Sequence, residues 1–580
     1  MSEKKKNRPA AKGALKYWHL AVIAGVCIAV FANSLSGSFV WDDEIQVVKN
    51  WRIRSFENLP SAFTSAFWSF LGTEAESQTN FYRPVQTITY TLAYSIGELS
   101  PVAYHVLNLA YHVLASLFVY LICIELMLAP PIALGIAALF AAHPVHTEAV
   151  AWIAGVPDVA CGAFYFGAVW FFLKYLRERR AVLLGAACFM FFSALLAKEM
   201  AVTLPIFLLL LLIMRDRSRI QVKANLWLVS PFFAVLGAYI VLRVSALGLL
   251  ARSHIDVQAS GMDWISLGVR VVAEYIRYAI LPYPLNAFHL LPVKLDYRLI
   301  STSLSLAVIL ILIASLWSLR ARIPDALLWF CSFLLMLVPV LYFKGMSNTF
   351  LAERYLYIPS FAMIMVLVSV ASGFKVPRLN VILGSIAVVF AIASVYRNET
   401  WKTSEGLYQT TLRVQPEVVH MRINLADIHM KRSEDAIAQS LLESSVRYMD
   451  SDLYVRFPFE LYRAYVGLGA IAARAGKFAE AKQDFEKAIG IHPRGDWGYL
   501  YLGGVFMEAN GDYARAVEYF KKAIELGPLN EVARDYLGIA MLNQKNYKDA
   551  VRYFEEALKI NPNYADARSH LALASRALAP

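Results

Sequence analysis

Two adjacent aspartates, Asp42 and Asp43, follow the first long apolar run of this chain in the string Phe39-Val40-Trp41-Asp42-Asp43-Glu44. A carboxylate at a membrane–water boundary is placed to act as a general base on an acceptor hydroxyl. One acid pair is by default a pair of solvated loop charges, but here a tryptophan precedes it and a long loop follows. Other polar groups recur around apolar runs: Tyr82-Arg83-Pro84; His105, Asn108 and His112 on one helical face; His143-Pro144-Val145-His146-Thr147-Glu148; Lys198-Glu199; and Glu353-Arg354-Tyr355. Ionisable groups near membrane depth are costly and default to functional candidates, although any one of them also fits a structural ion pair or a snorkelling side chain. Arg83 and Arg354 suit a phosphate, because guanidinium offers bidentate contacts. His143, His146 and Glu148 include metal-ligating types, but their i, i+3, i+5 spacing around Pro144 is poor for a compact triad. Hydrogen bonding or phosphate contact therefore ranks above metal, and no metal site or required divalent cation is expected.

The elements that must position these groups are apolar. The 580 residues are 58% hydrophobic and only 17% charged, against about a quarter charged in ordinary soluble domains. The +11 net charge sits wholly in residues 1–396, while 397–580 is charge-balanced. This points to basic loops beside a membrane rather than to nucleic-acid binding. The five cysteines, all inside apolar runs, lack metal or redox spacing. A span needs ~20 apolar residues. Eleven candidates are 17–37, 103–126, 131–150, 159–176, 181–197, 200–214, 226–248, 302–320, 326–344, 355–372 and 379–396. Residues 264–284 are apolar but carry Arg270, Glu274 and Arg277 at helical spacing, so they read as an interfacial or re-entrant helix. The Lys/Arg bias then places the basic tail 1–16 in the cytoplasm. The long loops 38–102 and 249–301, and everything after the eleventh span, fall on the opposite side.

The last part of the chain repeats. Gly469, Ala481, Phe485, Ala488 and Pro493 match Gly504, Ala516, Phe520, Ala523 and Pro528, then Gly538, Ala550, Phe554, Ala557 and Pro562. The final two sets lie 34 residues apart, the tetratricopeptide period. A degenerate unit is expected at about 405–455. Such repeats offer a concave peptide-binding surface, or a spacer.

Taken together, Phe39-Val40-Trp41-Asp42-Asp43, Tyr82-Arg83-Pro84, Ser100-Pro101 with Tyr104-His105, the stretch from His143 to Trp152, Ala197-Lys198-Glu199 and Ala352-Glu353-Arg354-Tyr355-Leu356-Tyr357-x-Pro359 resemble the transmembrane and TPR-containing protein O-mannosyltransferases. The resemblance implies an all-α chain: a GT-C-like membrane domain over 17–396 and a TPR α-solenoid over 397–580. It implies a polyprenyl-phosphate sugar donor, usually mannose, and inverting transfer to Ser or Thr hydroxyls of a protein that the repeats engage, without further cofactor. By resemblance, Asp42 or Asp43 is the base, and Arg83 and Arg354, with Lys198 as a third cation, hold the lipid phosphate. His146, Glu148 and Glu199, joined by His143, Glu353 and Tyr82, shape the sugar and acceptor site. The few repeats point to a prokaryotic member in a bacterial inner membrane with a periplasmic repeat domain. The rival readings are a non-enzymatic, membrane-anchored repeat scaffold, and a glycosyltransferase acting on lipid or polysaccharide.

Overall fold

The computed structural model describes residues 17–71, 80–215, 222–248, 260–291, 298–342, 350–449 and 458–578. The basic tail 1–16 and parts of the two long loops fall outside them. Among the described residues every regular element is helical. The chain divides into two compact units between Thr410 and Thr411. Residues 397–410, expected with the repeats, belong to the first unit: Lys402 O accepts from Ser38 N at 2.9 Å, and the Trp401 indole stacks on Trp152.

Among the described residues, six helices of the first unit are long and apolar enough to cross a membrane: Tyr17–Ser36, Pro101–Glu125, Ile153–Glu178, Leu226–Leu247, Leu299–Ser318 and Leu379–Trp401. The chain is a multi-pass membrane protein. The expected straight span 131–150 is instead a pair, Pro130–Ala142 and Pro144–Ala151, bent by 45°. The cause is local: a residue before proline avoids the α region, and His143 is extended at φ −65°, ψ 125°. Three further expected spans are shorter helices, Ala181–Ala197, Ala326–Leu341 and Pro359–Gly373. The expected span 200–214 is a tight turn, Glu199–Thr203, leading into Leu204–Arg215. Its twelve helical residues rise about 18 Å, short of a bilayer's ~30 Å core. Residues Gly261–Ile280 form a separate helix started by a Ser260/Asp263 capping box.

The helix Ile153–Glu178 is the centre of this unit, with 83% of its apolar window buried. Glycine makes close packing possible there. A Cβ on Gly162 would lie 2.3 Å from the Tyr357 ring.

The second unit is a run of helix pairs: Val419–Lys431 with Asp435–Met449, Pro458–Arg474 with Phe478–Ile491, Asp496–Asn510 with Tyr513–Leu526, and Glu531–Asn543 with Tyr547–Ile560, then Ala565–Leu578. Phe485, Phe520 and Phe554 are fully buried between repeats. Gly469 and Gly538 press against the first and last of these rings, as the repeat pattern requires. In the middle repeat it is Gly503, not Gly504, whose added Cβ would meet Phe520, at 2.7 Å.

Candidate functional site

The turn carrying Asp42 and Asp43 is strained and tightly held. Trp41 adopts φ 56°, a left-handed conformation that costs a bulky residue ~1–3 kcal/mol. Three contacts hold it there. Its N–H donates to Ser404 Oγ at 3.1 Å. Its indole stacks on Trp152 at 5.2 Å, and Trp152 stacks in turn on Trp401 at 5.5 Å.

The two aspartates have different surroundings. Asp43 is buried, and both of its oxygens accept backbone N–H groups, from Val40 at 2.9 Å and from Ala154 at 2.8 Å. Burial drives its carboxyl well above the usual carboxylate range, against the downward pull of those donors. Asp43 thus pins its loop to the turn at Ile153–Gly155. Asp42 is half-buried, and its backbone carbonyl starts the following turn by accepting from Ile45 and Gln46.

Three cations lie close by, each beside a carboxylate. Arg83 meets Glu199 at 3.2 Å and covers the Phe81 ring at 4.4 Å. Lys198 Nζ lies 2.5 Å from Asp158 and 4.8 Å from the Tyr355 ring centre. The Arg354 guanidinium pairs with Glu148, and Arg354 N–H donates to the other oxygen of that carboxylate at 2.9 Å. Trp152 joins the acid and cation halves. One of its contacts is the Trp41 ring, next to Asp42, and another is the Arg354 guanidinium, 5.5 Å from its centroid. Asp158, Cys161, Lys198, Arg354, Tyr355 and Tyr357 line a cavity with about 10 Å³ of water-sized space.

The remaining expected residues are each held by neighbouring groups. Tyr82 is fully buried, its hydroxyl donating to Phe63 O at 3.0 Å. His143 bonds Ala279 O at 3.2 Å, His146 bonds Ser360 Oγ at 2.9 Å, and His112 bonds Tyr357 OH at 2.8 Å. Among the described residues no three His, Cys, Asp or Glu side chains converge as metal ligands. Glu353 is enclosed: it accepts from Arg397 at 3.0 Å on each oxygen and from Asn286 N–H, and lies 3.4 Å from His289.

Three charged residues escaped the sequence reading. Asp158, beside Lys198, stands one residue before the expected span 159–176. Arg243 is buried within Leu226–Leu247 and donates to Asn80 O at 2.6 Å, bracing the segment that presents Arg83. A lone charge in an apolar span is itself a functional signal, so Arg243 was findable. Arg397 lay at the expected domain boundary.

Comparison with known proteins bears on both units. Tetratricopeptide repeat family models match residues 466–531 and 507–574. Protein O-mannosyl-transferase TMTC3 of Mus musculus is 23% identical over 603 residues, covering 88% of this chain and 64% of its own length. Protein O-mannosyl-transferase TMTC4 of Homo sapiens is 28% identical over 500 residues, covering 71% and 64%. The chain is similar to these TMTC proteins over most of its length. It spans 64% of the length of these two relatives. A third relative, human Protein O-mannosyl-transferase TMTC1, is 34% identical over 161 residues, 27% of this chain and 18% of its own. Among solved structures, a crystal structure of MamA protein aligns at 23% identity and TM-score 0.22, covering 28% of this chain and 83% of that one.

Proposed function

We propose that this chain, like the TMTC proteins it resembles, is a glycosyltransferase that moves a sugar, mannose by the names of its relatives, from a polyprenyl-phosphate donor to Ser or Thr hydroxyls of proteins. What supports the reading is one juxtaposition: an acid pair and three cations gathered at a single end of the helix bundle around Trp152 and Tyr355. In the reaction the acceptor hydroxyl oxygen attacks the anomeric carbon and the bond from that carbon to phosphate oxygen breaks. The hydroxyl proton passes to a carboxylate, and polyprenyl phosphate leaves. Attack opposite the leaving group inverts the anomeric centre.

Asp42 is the base in this scheme. Asp43 already has both oxygens on backbone donors, so it positions the loop. Arg83, Lys198 and Arg354 stabilise the departing phosphate, the charge-developing step. Glu148, Asp158 and Glu199 hold those cations in place before the donor arrives. The repeats recruit the acceptor protein and raise its local concentration. The N-terminus lies in the cytoplasm, and the site and the repeats face the opposite side, which in a bacterium is the periplasmic side of the inner membrane.

The test is transfer in vitro from polyprenyl-phosphate mannose to a Ser/Thr-rich protein by the full chain in nanodiscs, with Asp42→Asn as control. Transfer by the wild type and its loss in the variant is the expected result. Equal product from both removes Asp42 from catalysis, and no product from any polyprenyl-phosphate sugar favours the scaffold reading. A reporter fused after Pro580 tests the orientation.

A further inference from the structure

The helix Gly261–Ile280 carries an apolar stripe. Met262, Ile265 and Ile280 are exposed and Val269 and Val272 half-buried, and they recur at i, i+3, i+7, i+10 and i+18. At 3.6 residues per turn these five lie on one side of the helix. Met262 and Ile265 are 60% and 61% exposed. Ser266, Arg270, Tyr275 and Tyr278 are buried elsewhere on the helix, and the half-buried Asp263, Glu274 and Arg277 also lie off the stripe.

Both ends of this helix rest at one end of the bundle. Near its start, Ser266 Oγ is 2.7 Å from Thr302 Oγ1, at the beginning of the span Leu299–Ser318. Near its finish, Ala279 O bonds His143, and Tyr278 OH is 3.3 Å from His289, which sits beside Glu353 and hence Arg397. Arg397 closes the last span. If each apolar helix from Leu299 onward crosses once, Thr302 and Arg397 lie at the same membrane face, so a helix touching both runs in the membrane plane. In its middle, Tyr275 OH accepts the N–H of Ala352, two residues before Arg354. The stripe continues into exposed Leu281 and Tyr283, and it borders the span Leu299–Ser318, itself only 11% buried and apolar.

We propose that the stripe from Met262 to Ile280 docks lipid hydrocarbon, and that this helix is the membrane-side wall along which the donor's polyprenyl chain reaches Arg354. The occupant is hydrocarbon because the stripe carries no polar group and is continuous with a lipid-facing span. The one nearby charge pair is internally matched: Arg277 donates to Glu274 at 2.6 and 2.8 Å, and to Tyr283 O at 2.6 Å. The hydrocarbon contact stands alone, whereas the donor route rests on the transferase reading.

The experiment reads the two parts separately. With Cys188 and Cys331 replaced by serine, spin labels are placed singly at Met262→Cys, Ile265→Cys, Val269→Cys and Val272→Cys in the full chain in phospholipid nanodiscs. Collision with oxygen, which partitions into hydrocarbon, exceeds collision with a water-soluble nickel chelate about tenfold at each position. Preference for the chelate overturns the proposal, because it places the stripe in water. Poor collision with both reagents also overturns it, because a protein partner then covers the stripe. An inactive chain gives the same spin-label result, so failure of the transferase reading is distinguishable. For the donor route, Val272→Asp raises the KM for a long-chain polyprenyl-phosphate mannose at least tenfold and leaves that for a short, water-soluble prenyl analogue unchanged. Equal effects on the two donors overturn the route.

Discussion

Replacing Asp42 and Asp43 by asparagine, one at a time, should separate chemistry from architecture. In Asp43→Asn the new side chain retains one carbonyl oxygen and turns its amide NH₂ toward a backbone N–H that Asp43 now accepts. One hydrogen bond is lost, at about 0.5–1.5 kcal/mol, and a buried donor is left unsatisfied, at about 1–3 kcal/mol more. Asp43→Asn should therefore lower the unfolding temperature markedly and reduce activity by releasing the Trp41 turn. Asp42 is half-buried, and asparagine there keeps the backbone carbonyl that accepts from Ile45 and Gln46. Asp42→Asn should cost less stability than Asp43→Asn and lower kcat by about 10²–10⁴, the usual value of a positioned base. At 1.36 kcal/mol per tenfold, that is about 3–5 kcal/mol of barrier. Thermal unfolding in detergent, paired with single-turnover transfer at saturating donor, measures both. Full turnover in Asp42→Asn, with lost turnover in a stably folded Asp43→Asn, would refute the assignment.

Gly155→Ala should cripple transfer while the chain still inserts. The new Cβ would lie 2.5 Å from the carbonyl oxygen of Ala149, a backbone atom that cannot swing aside, so the Ile153–Gly155 turn that grips Asp43 must shift. The readout is turnover beside unchanged membrane yield. Arg397→Gln should destabilise the chain by about 3–5 kcal/mol, because Glu353 is left charged and enclosed. Restored stability in a Glu353→Gln, Arg397→Gln double variant would confirm that the pair, and not either side chain alone, matters. Gly538→Ala should cost about 1–3 kcal/mol of overpacking, since its Cβ would sit 2.5 Å from Phe554; denaturant unfolding of the repeat helices checks this. Burial pushes the Glu460 carboxyl up, but hydrogen bonding to His420 and the charges of His420 and Arg463 outweigh it and hold it below the usual range. A depressed carboxyl stabilises the fold above its unfolded value of about 4.3 and loses that contribution as pH falls through the folded value. Hydrogen exchange in peptides of 419–474 should accordingly accelerate below about pH 4, and Glu460→Gln should flatten that dependence.

What could be read from the sequence follows from which interactions leave a local trace. The repeats do: small residues, a phenylalanine and a proline at a fixed period imply one packing unit, because each repeat must bury the same stripe against its neighbour. Even there, only coordinates reveal that Gly503 rather than Gly504 meets Phe520, since neighbouring glycines are equivalent in a pattern. Apolar runs mark membrane helices, but run length does not show where a helix bends, as it does at His143-Pro144. The candidate site was legible as residue types and illegible as roles. Nothing in the string Trp41-Asp42-Asp43 says which carboxylate is tied to the backbone, because the second donor, Ala154, lies 111 residues away. The same distance effect hid Asp158 until Lys198 was seen against it, 40 residues on. A buried cation must have a partner, so each of Arg83, Lys198 and Arg354 implied an acid. Which acid it was is a property of how the helices cross, and that crossing is what gathers Asp158, Lys198 and Arg354 around Tyr355.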